Sequence, residues 1–409
     1  MTNNKKLWFS WLLLAMFFLG HYFFRYTPAY INLKLMKSFS ISAKHIGYLT
    51  SCFFIPYALV QIPVGYCISR FSTKKLITLA ALMCSIATFL FSKSTSYLML
   101  CASTVFFACF AAFGFIGAVT FANTQLPTQY RSLAVGLTQA LGLLGGIFAM
   151  NLITNYSHLY TWQEMTGMMG WGMLGLFAII GILVPPTPVP APIEQNTSAV
   201  EKEESIFTQK KTWFNAFYAG FSYLPLSVLT ESFGPPILSA VHNMDSSTVS
   251  VALSMCLVGW IIGGPISGML ADKYGRLPIM KISAIFGIFL TAIIMFVPMN
   301  AFGLKAALFL FGLTNTGVVA CYSTAAEMYG PSKAGISVAI SNMATILVAS
   351  ITVPFLGYLL DLWSIPTFID DAPIYQALDF QKAFGIVLLA PVLGYICTLF
   401  TPETKPRIK

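Results

Sequence analysis

Two short patterns carry most of the chemistry this sequence offers. The first is His21-Tyr22-Phe-Phe-Arg25-Tyr26, where a histidine and an arginine stand four apart and so share one helix face, each beside a tyrosine. The second is Tyr223, Ser227 and Glu231, again at steps of four. Both lie inside long apolar runs. An ionised side chain at bilayer depth costs roughly 2.5–3.5 kcal/mol on insertion scales, so such residues read as functional by default. A guanidinium suits a carboxylate or phosphate because its planar fork donates to two oxygens at once. A carboxylate suits an amine or takes up a proton. Arg25 and Glu231 facing one another across a site would suit a zwitterion such as an amino acid or short peptide, and a permanent Arg25–Glu231 ion pair with no substrate role is the structural alternative. His21 reads as a proton-relay member beside Glu231, or as a structural histidine bonded to a tyrosine or the backbone. Further polar groups on the apolar runs are Tyr26, Tyr57, Gln61, Gln139, Trp260, Asn315 and Asn342. Tyr57 and Gln61 share a face, and each amide serves equally well as interhelical glue.

Composition says where these groups must sit. The hydrophobic fraction is 57%, the charged fraction 9% and the mean hydropathy +0.75. A soluble domain carries about 25% charged residues; this chain cannot cover a water-facing surface and belongs in a lipid bilayer. The net charge of +9 is scattered in ones and twos between apolar runs, with no basic stripe, which excludes a nucleic-acid partner. All eight cysteines lie within or at the ends of apolar runs and form no CxxC or Cys/His cluster, so they read as packed thiols. No metal or cofactor is implied. The absence of a GxxxxGK[ST] loop, an HExxH pair or a nucleophile motif argues against an ATP-driven pump and against an enzyme.

A helix needs about 20 apolar residues to cross the hydrocarbon core. On that measure twelve spans are expected, at about 8–30, 46–68, 76–92, 97–122, 134–155, 167–185, 213–239, 248–270, 279–298, 303–325, 335–360 and 382–400. Lys5-Lys6 precedes a run too long for a signal-peptide core, which reads as a retained first helix. Between the sixth and seventh spans, four prolines from Pro186 to Pro192 give way to Glu201-Lys202-Glu203-Glu204, the composition of a flexible linker, with a short helical insert over 201–211 as the alternative. The expected organisation is therefore a six-helix bundle over 1–186, a cytoplasmic linker over 187–211, and a second six-helix bundle over 212–409. With the N-terminus inside, sixteen lysines and arginines fall on the cytoplasmic side and six outside, which places both termini in the cytoplasm.

The halves also repeat. Gly65-Tyr-Cys-Ile-Ser69-Arg70-Phe-Ser72 and Gly268-Met-Leu-Ala-Asp272-Lys273-Tyr-Gly275-Arg276 share a spacing at an offset of about half the chain. The second copy resembles the G-x-L-A-D-[KR]-x-G-R-[KR] signature loop of the major facilitator superfamily. The first copy departs from it, with Ser69 in the aspartate's place and Ser72 in a glycine's, while Phe71 and Lys74-Lys75 fit. The resemblance covers essentially the whole chain. It implies an all-α membrane protein of twelve transmembrane helices in two pseudo-symmetric bundles, acting as a monomer, with the first and seventh spans lining a central cavity. It also implies a latch at the cytoplasmic ends, with Asp272 reaching the start of the fifth span beside Arg131 and Glu327 in gating or structure. Gly268 and Gly275 are expected to permit close helix approach and a tight turn. The glycine-rich fifth span, Gly136 to Gly146, partly resembles the drug/proton antiporter motif without its proline, and helix packing accounts for it.

The expected function is secondary active transport of a small polar solute by alternating access. Proton-coupled uptake of a zwitterionic or weakly anionic nutrient across a bacterial inner membrane fits these residues best. A uniporter or an organic-anion exchanger without proton coupling is the alternative, and a non-transporting, transporter-like nutrient receptor is the rival of another class.

Overall fold

The computed structural model describes residues 3–127, 130–186, 206–329, 331–364, 367–369 and 372–404. Residues 187–205 of the expected linker lie outside them. Ten helical segments among the described residues are long and apolar enough to cross a membrane. The other two expected spans, 46–68 and 213–239, hold α3 (Ala43–Arg70), which carries Pro56 and Pro63, and α9 (Lys210–Ser227). The chain divides into two compact units, one of residues 1–39 with 52–196 and one of residues 40–51 with 197–409.

The first unit contains α1 (Asn3–Tyr30), α2 (Asn32–Phe39), most of α3, α4 (Thr73–Ser92), α5 (Tyr97–Ala111), α6 (Phe113–Gln125), α7 (Arg131–Tyr156) and α8 (Trp162–Leu183). α1 packs on α7 and α4 on α8. Small residues permit this, as in membranes generally, where close backbone approach replaces the hydrophobic effect between helices. A Cβ at Gly145 would overlap the carbonyl of Leu19, and one at Gly142 would strike the Phe18 ring. Gly142 and Gly145 thus form a packing face against α1, whereas at Gly136 a Cβ would meet nothing within 4 Å.

The second unit runs through α9, a π-turn at Val228–Ser232, α10 (Gly234–His242), α11 (Ser246–Tyr274), α12 (Arg276–Phe296), α13 (Ala301–Thr314), α14 (Gly317–Glu327) and α15 (Pro331–Trp363). A two-stranded antiparallel hairpin follows, β1 (Thr367–Ile369) with β2 (Ala372–Ile374), then α16 (Ala377–Phe384) and α17 (Leu389–Thr398). α9 packs on α15, and α11 on α13 through Gly259, Gly263 and Gly312. The first turns of α3 lie on α15: a Cβ at Gly47 would press on Pro354, and Ser51 donates its hydroxyl to the Ser350 carbonyl. Four helix starts carry side-chain caps. Ser96, Asp245 and Asn300 accept from the third N–H of α5, α11 and α13, and Thr161 with Glu164 forms a capping box at α8.

Four expected continuous spans are interrupted: 97–122 at Ala112, 213–239 at the π-turn, 303–325 at Asn315–Thr316 and 382–400 at a 3₁₀ turn over Gly385–Leu388. The second interruption has a clear cause. Pro225 brings no N–H to α9, and Pro235-Pro236 open α10, where a missing N–H costs least. Between them the Phe233 N–H reaches five residues back to the Val228 carbonyl at 2.9 Å. A Cβ at Gly234 would overlap the Leu229 carbonyl, so glycine alone closes the turn.

Candidate functional site

In the first unit, α1 and α3 build an aromatic enclosure around a cation. Arg25 is 9% exposed. Its guanidinium carbon lies 4.8 Å from the Phe54 ring centroid, 5.2 Å from Tyr22 and 5.8 Å from Phe53. A guanidinium over aromatic faces gains about 0.5–2 kcal/mol per contact, which offsets part of its desolvation. One turn earlier, His21 is fully buried. Its ring lies 5.6 Å from Phe53 at 18° and 5.2 Å from Tyr57 at 28°, and those two rings are 5.6 Å apart. Among the described residues neither His21 ring nitrogen has a hydrogen-bond partner. A buried unsatisfied polar group costs about 1–3 kcal/mol, and its presence calls for a reason. Tyr26 is buried and stacks on Tyr22 at 5.9 Å.

In the second unit the π-turn presents Glu231, which is 2% exposed. Tyr223 donates its hydroxyl to Oε1 at 2.6 Å and Ser227 donates to Oε2 at 3.0 Å. The spacing of four seen in the sequence thus becomes one hydrogen-bonded cluster. The insertion of a π-turn at this carboxylate fits the general tendency of such bulges to mark functional positions.

A third cluster forms at the α11–α12 turn. Gly275 takes φ +107°, a left-handed region that favours glycine, and so makes the expected tight turn. At Gly268 a Cβ would meet nothing within 4 Å among the described residues. Arg276 donates to Asp272 Oδ1 at 2.6 Å and to Glu327 Oε1 at 2.8 Å. Asp272, expected to reach toward the fifth span, holds the arginine of its own loop. Arg131 opens α7, but its side chain lies outside the described residues. In the other copy of the loop, Arg70 is exposed and its guanidinium lies 4.5 Å over Tyr66, while Gly65 has open space at its Cβ position.

The remaining polar residues fall into two kinds. Asn315 donates from Nδ2 to the Ser222 carbonyl at 3.0 Å. Asn342 accepts from Tyr322 at 3.3 Å. Gln61 and Gln139 are half-buried on α3 and α7. Trp260 is half-buried against the Tyr218–Ala271–Met280 core, and its Nε1 is buried without a partner among the described residues.

Sequence reasoning missed four contributors. Phe53 and Phe54 complete the Arg25 enclosure, and the four-residue step from Phe53 to Tyr57 was their only signal. Glu403, beyond the last helix, accepts the backbone N–H of Arg276 at 2.9 Å and of Leu277 at 3.0 Å. Thr404 beside it donates to Glu327 at 2.7 Å.

The Major Facilitator Superfamily model matches residues 10–353 and 216–409. Among curated relatives, the MFS-type transporter YcxA of Bacillus subtilis (strain 168) is 23% identical over 344 residues, 78% of this chain and 79% of that one. Among solved structures, an inward-facing, unoccupied bacterial homolog of the human lysosomal transporter Spinster superposes with a TM-score of 0.79 at 16% identity, covering 97% of this chain and 98% of that one. A D-xylose–proton symporter gives 0.75 at 16% identity, with the same coverage. At such identities the structural likeness speaks for the fold alone.

Proposed function

Because this chain belongs to the major facilitator superfamily, a family of membrane transporters, we propose that it carries out proton-coupled uptake of a zwitterionic or weakly anionic nutrient, an amino acid, short peptide or organic acid. The observation that carries this reading is a buried charged side chain in each unit, on α1 in the first and in the π-turn after α9 in the second. These are Arg25 among aromatic rings and Glu231 between two hydroxyls. In this reading Arg25 forks onto the solute's carboxylate. Glu231 takes the solute's amine or the coupling proton. His21, with two unengaged nitrogens, passes a proton or binds the solute, and Tyr26 and Tyr57 shape the enclosure. Gln61, Gln139, Trp260 and Asn342 are offered as further contacts, whereas the bond Asn315 already makes argues for a packing role. The Asp272–Arg276–Glu327 cluster, with Gly65, Arg70, Gly268, Gly275 and Arg131, is assigned to gating during alternating access. The fold of the D-xylose–proton symporter is compatible with such coupling.

We place the protein in a bacterial inner membrane as a monomer with both termini cytoplasmic. Bundles over 1–186 and 212–409 are joined there by the linker 187–211. The basic-residue asymmetry supports that orientation. A second reading, organic-anion exchange without protons, draws on the same Arg25 enclosure, which needs no proton to hold an anion.

Uptake of pooled labelled amino acids, short peptides and organic acids into proteoliposomes tests both readings, with and without an inward proton gradient. Gradient-stimulated uptake that disappears in Arg25→Ala and Glu231→Gln is the expected result. Uptake indifferent to the gradient but lost in Arg25→Ala selects exchange. Uptake that survives both substitutions removes the pair from the site.

A further inference from the structure

A cavity of about 540 Å³ lies in the first unit between α1, α7 and α8, away from the Arg25 enclosure. Its size falls in the range of small-molecule sites, roughly 300–1,000 Å³. Its walls carry no charged side chain, and five of them are methionines: Met16, Met165, Met168, Met169 and Met173. Methionine adapts its shape to an irregular apolar guest. Gly20 and Gly172 line the cavity without a side chain, and Gly20 lies close against Met173. All three helices are membrane spans, so the medium against this groove is hydrocarbon. α8 is the least covered of the ten spans, with 22% of its apolar window buried against 39–61% in the others, and Met168 and Leu152 on the groove are exposed. The groove therefore opens sideways.

One end of the groove is polar. Tyr156 and Tyr160 line it where α7 leaves the bilayer, the usual station of interfacial tyrosines. The Lys34 ammonium donates there to the backbone carbonyls of Ser157 and Tyr160. Two of its three donors are thus engaged among the described residues, and the cation is pinned at the rim. Partial burial lowers the Lys34 pKa from the ordinary lysine value, so a facing anion would relieve its desolvation. Glu164, in the first turn of α8, accepts the Thr161 N–H and hydroxyl at Oε2.

We propose that this groove holds one acyl chain of an anionic glycerophospholipid, with the phosphate at Lys34. Bilayer hydrocarbon, adaptable walls and a single fixed cation at the interface end together match that ligand. A Cβ at Gly172 meets nothing within 4 Å. Gly172→Leu should therefore fill the groove without moving the backbone.

The test is native mass spectrometry of the full chain purified in detergent, titrated with dioleoylphosphatidylglycerol or dioleoylphosphatidylcholine. The unsubstituted protein should retain one phosphatidylglycerol. Gly172→Leu should weaken binding of both lipids at least about ten-fold. Lys34→Gln should weaken phosphatidylglycerol about five-fold, to the level of phosphatidylcholine, as expected for one lysine at a lipid surface. Met168→Trp fills the same groove from another wall residue and should reproduce Gly172→Leu, so a folding defect in one variant does not decide the matter. Unchanged binding in both filled variants overturns the proposal, as does a phosphatidylglycerol preference that survives Lys34→Gln. Loss of a dimer instead of a lipid in the filled variants would assign the groove to a second copy of the chain and also overturn it.

Discussion

Arg276 gives the sharpest stability prediction. Its side chain is 7% exposed, and its two carboxylate partners differ, Glu327 being 33% exposed and Asp272 65%. Stripping one partner from a fully buried pair costs about 3–5 kcal/mol, and an exposed pair contributes at most about 1 kcal/mol. Arg276→Gln lies between these limits, because water reaches both carboxylates once the guanidinium is gone. We expect a loss of about 2 kcal/mol. For a unit of this size each kcal/mol moves the midpoint by about 2–4 °C, so the melting temperature should fall by about 4–8 °C. Exposure also fixes an order: Glu327→Gln should cost about 1 kcal/mol and Asp272→Asn less than about 0.5 kcal/mol. Arg276→Gln combined with Glu327→Gln should fall short of additivity by about 1 kcal/mol. Thermal unfolding in one detergent, followed by intrinsic fluorescence at a fixed scan rate, measures all four. The reasoning fails if Arg276→Gln melts within about 1 °C of the parent, or if Asp272→Asn is the costlier carboxylate substitution.

Two further expectations concern single sites. Gly234→Ala forces a Cβ into the Leu229 carbonyl, so it should destabilise by about 1–3 kcal/mol through overpacking. It should also displace Glu231, and uptake that matches the parent's at equal protein level would remove the π-turn from the transport machinery. His242 accepts the Met299 N–H at Nδ1 (3.2 Å) and holds the Ile294 carbonyl at Nε2 (3.0 Å), an arrangement that requires the neutral ring. Burial lowers its pKa below the ordinary histidine value. The unfolded chain therefore binds the proton first as pH falls below about 6.5. Stability contributed at neutral pH is then lost on acidification, and the drop in melting temperature from pH 7.5 to 5.5 should be smaller in His242→Gln. An equal drop in both proteins would assign the acid sensitivity elsewhere.

Hydropathy made ten spans legible because bilayer residence is a property of composition over about 20 residues. Close packing of the fifth span was also legible, since glycines at helical spacing have few other uses within a membrane, but that its partner is α1 was not. The Tyr223–Ser227–Glu231 cluster could be read because all its members lie within two turns of one segment. The interruptions in four spans could not, because a shift of hydrogen-bond register leaves hydropathy unchanged. The aromatic enclosure of Arg25 was half visible: α1 announced its cation, but Phe53 and Phe54 arrive from another helix, and no periodicity within one segment encodes which neighbour it meets. The openness around Gly268 and the internal partner of Asp272 show that a motif fixes residue types more firmly than it fixes their contacts.

The hold of Glu403 on the α12 start also sets an order of assembly. The two N–H groups it accepts belong to residues 276 and 277, and the acceptor follows Arg276 by 127 positions. At a translation rate of roughly 5–20 residues per second, that interval is on the order of 6–25 s. During it, α12 must wait beside the translocation machinery with the start of its helix served by water alone. The signature loop is therefore completed only when the final span has been delivered. A nascent chain stalled before Glu403 would present that loop without the acceptor for its Arg276 and Leu277 N–H groups.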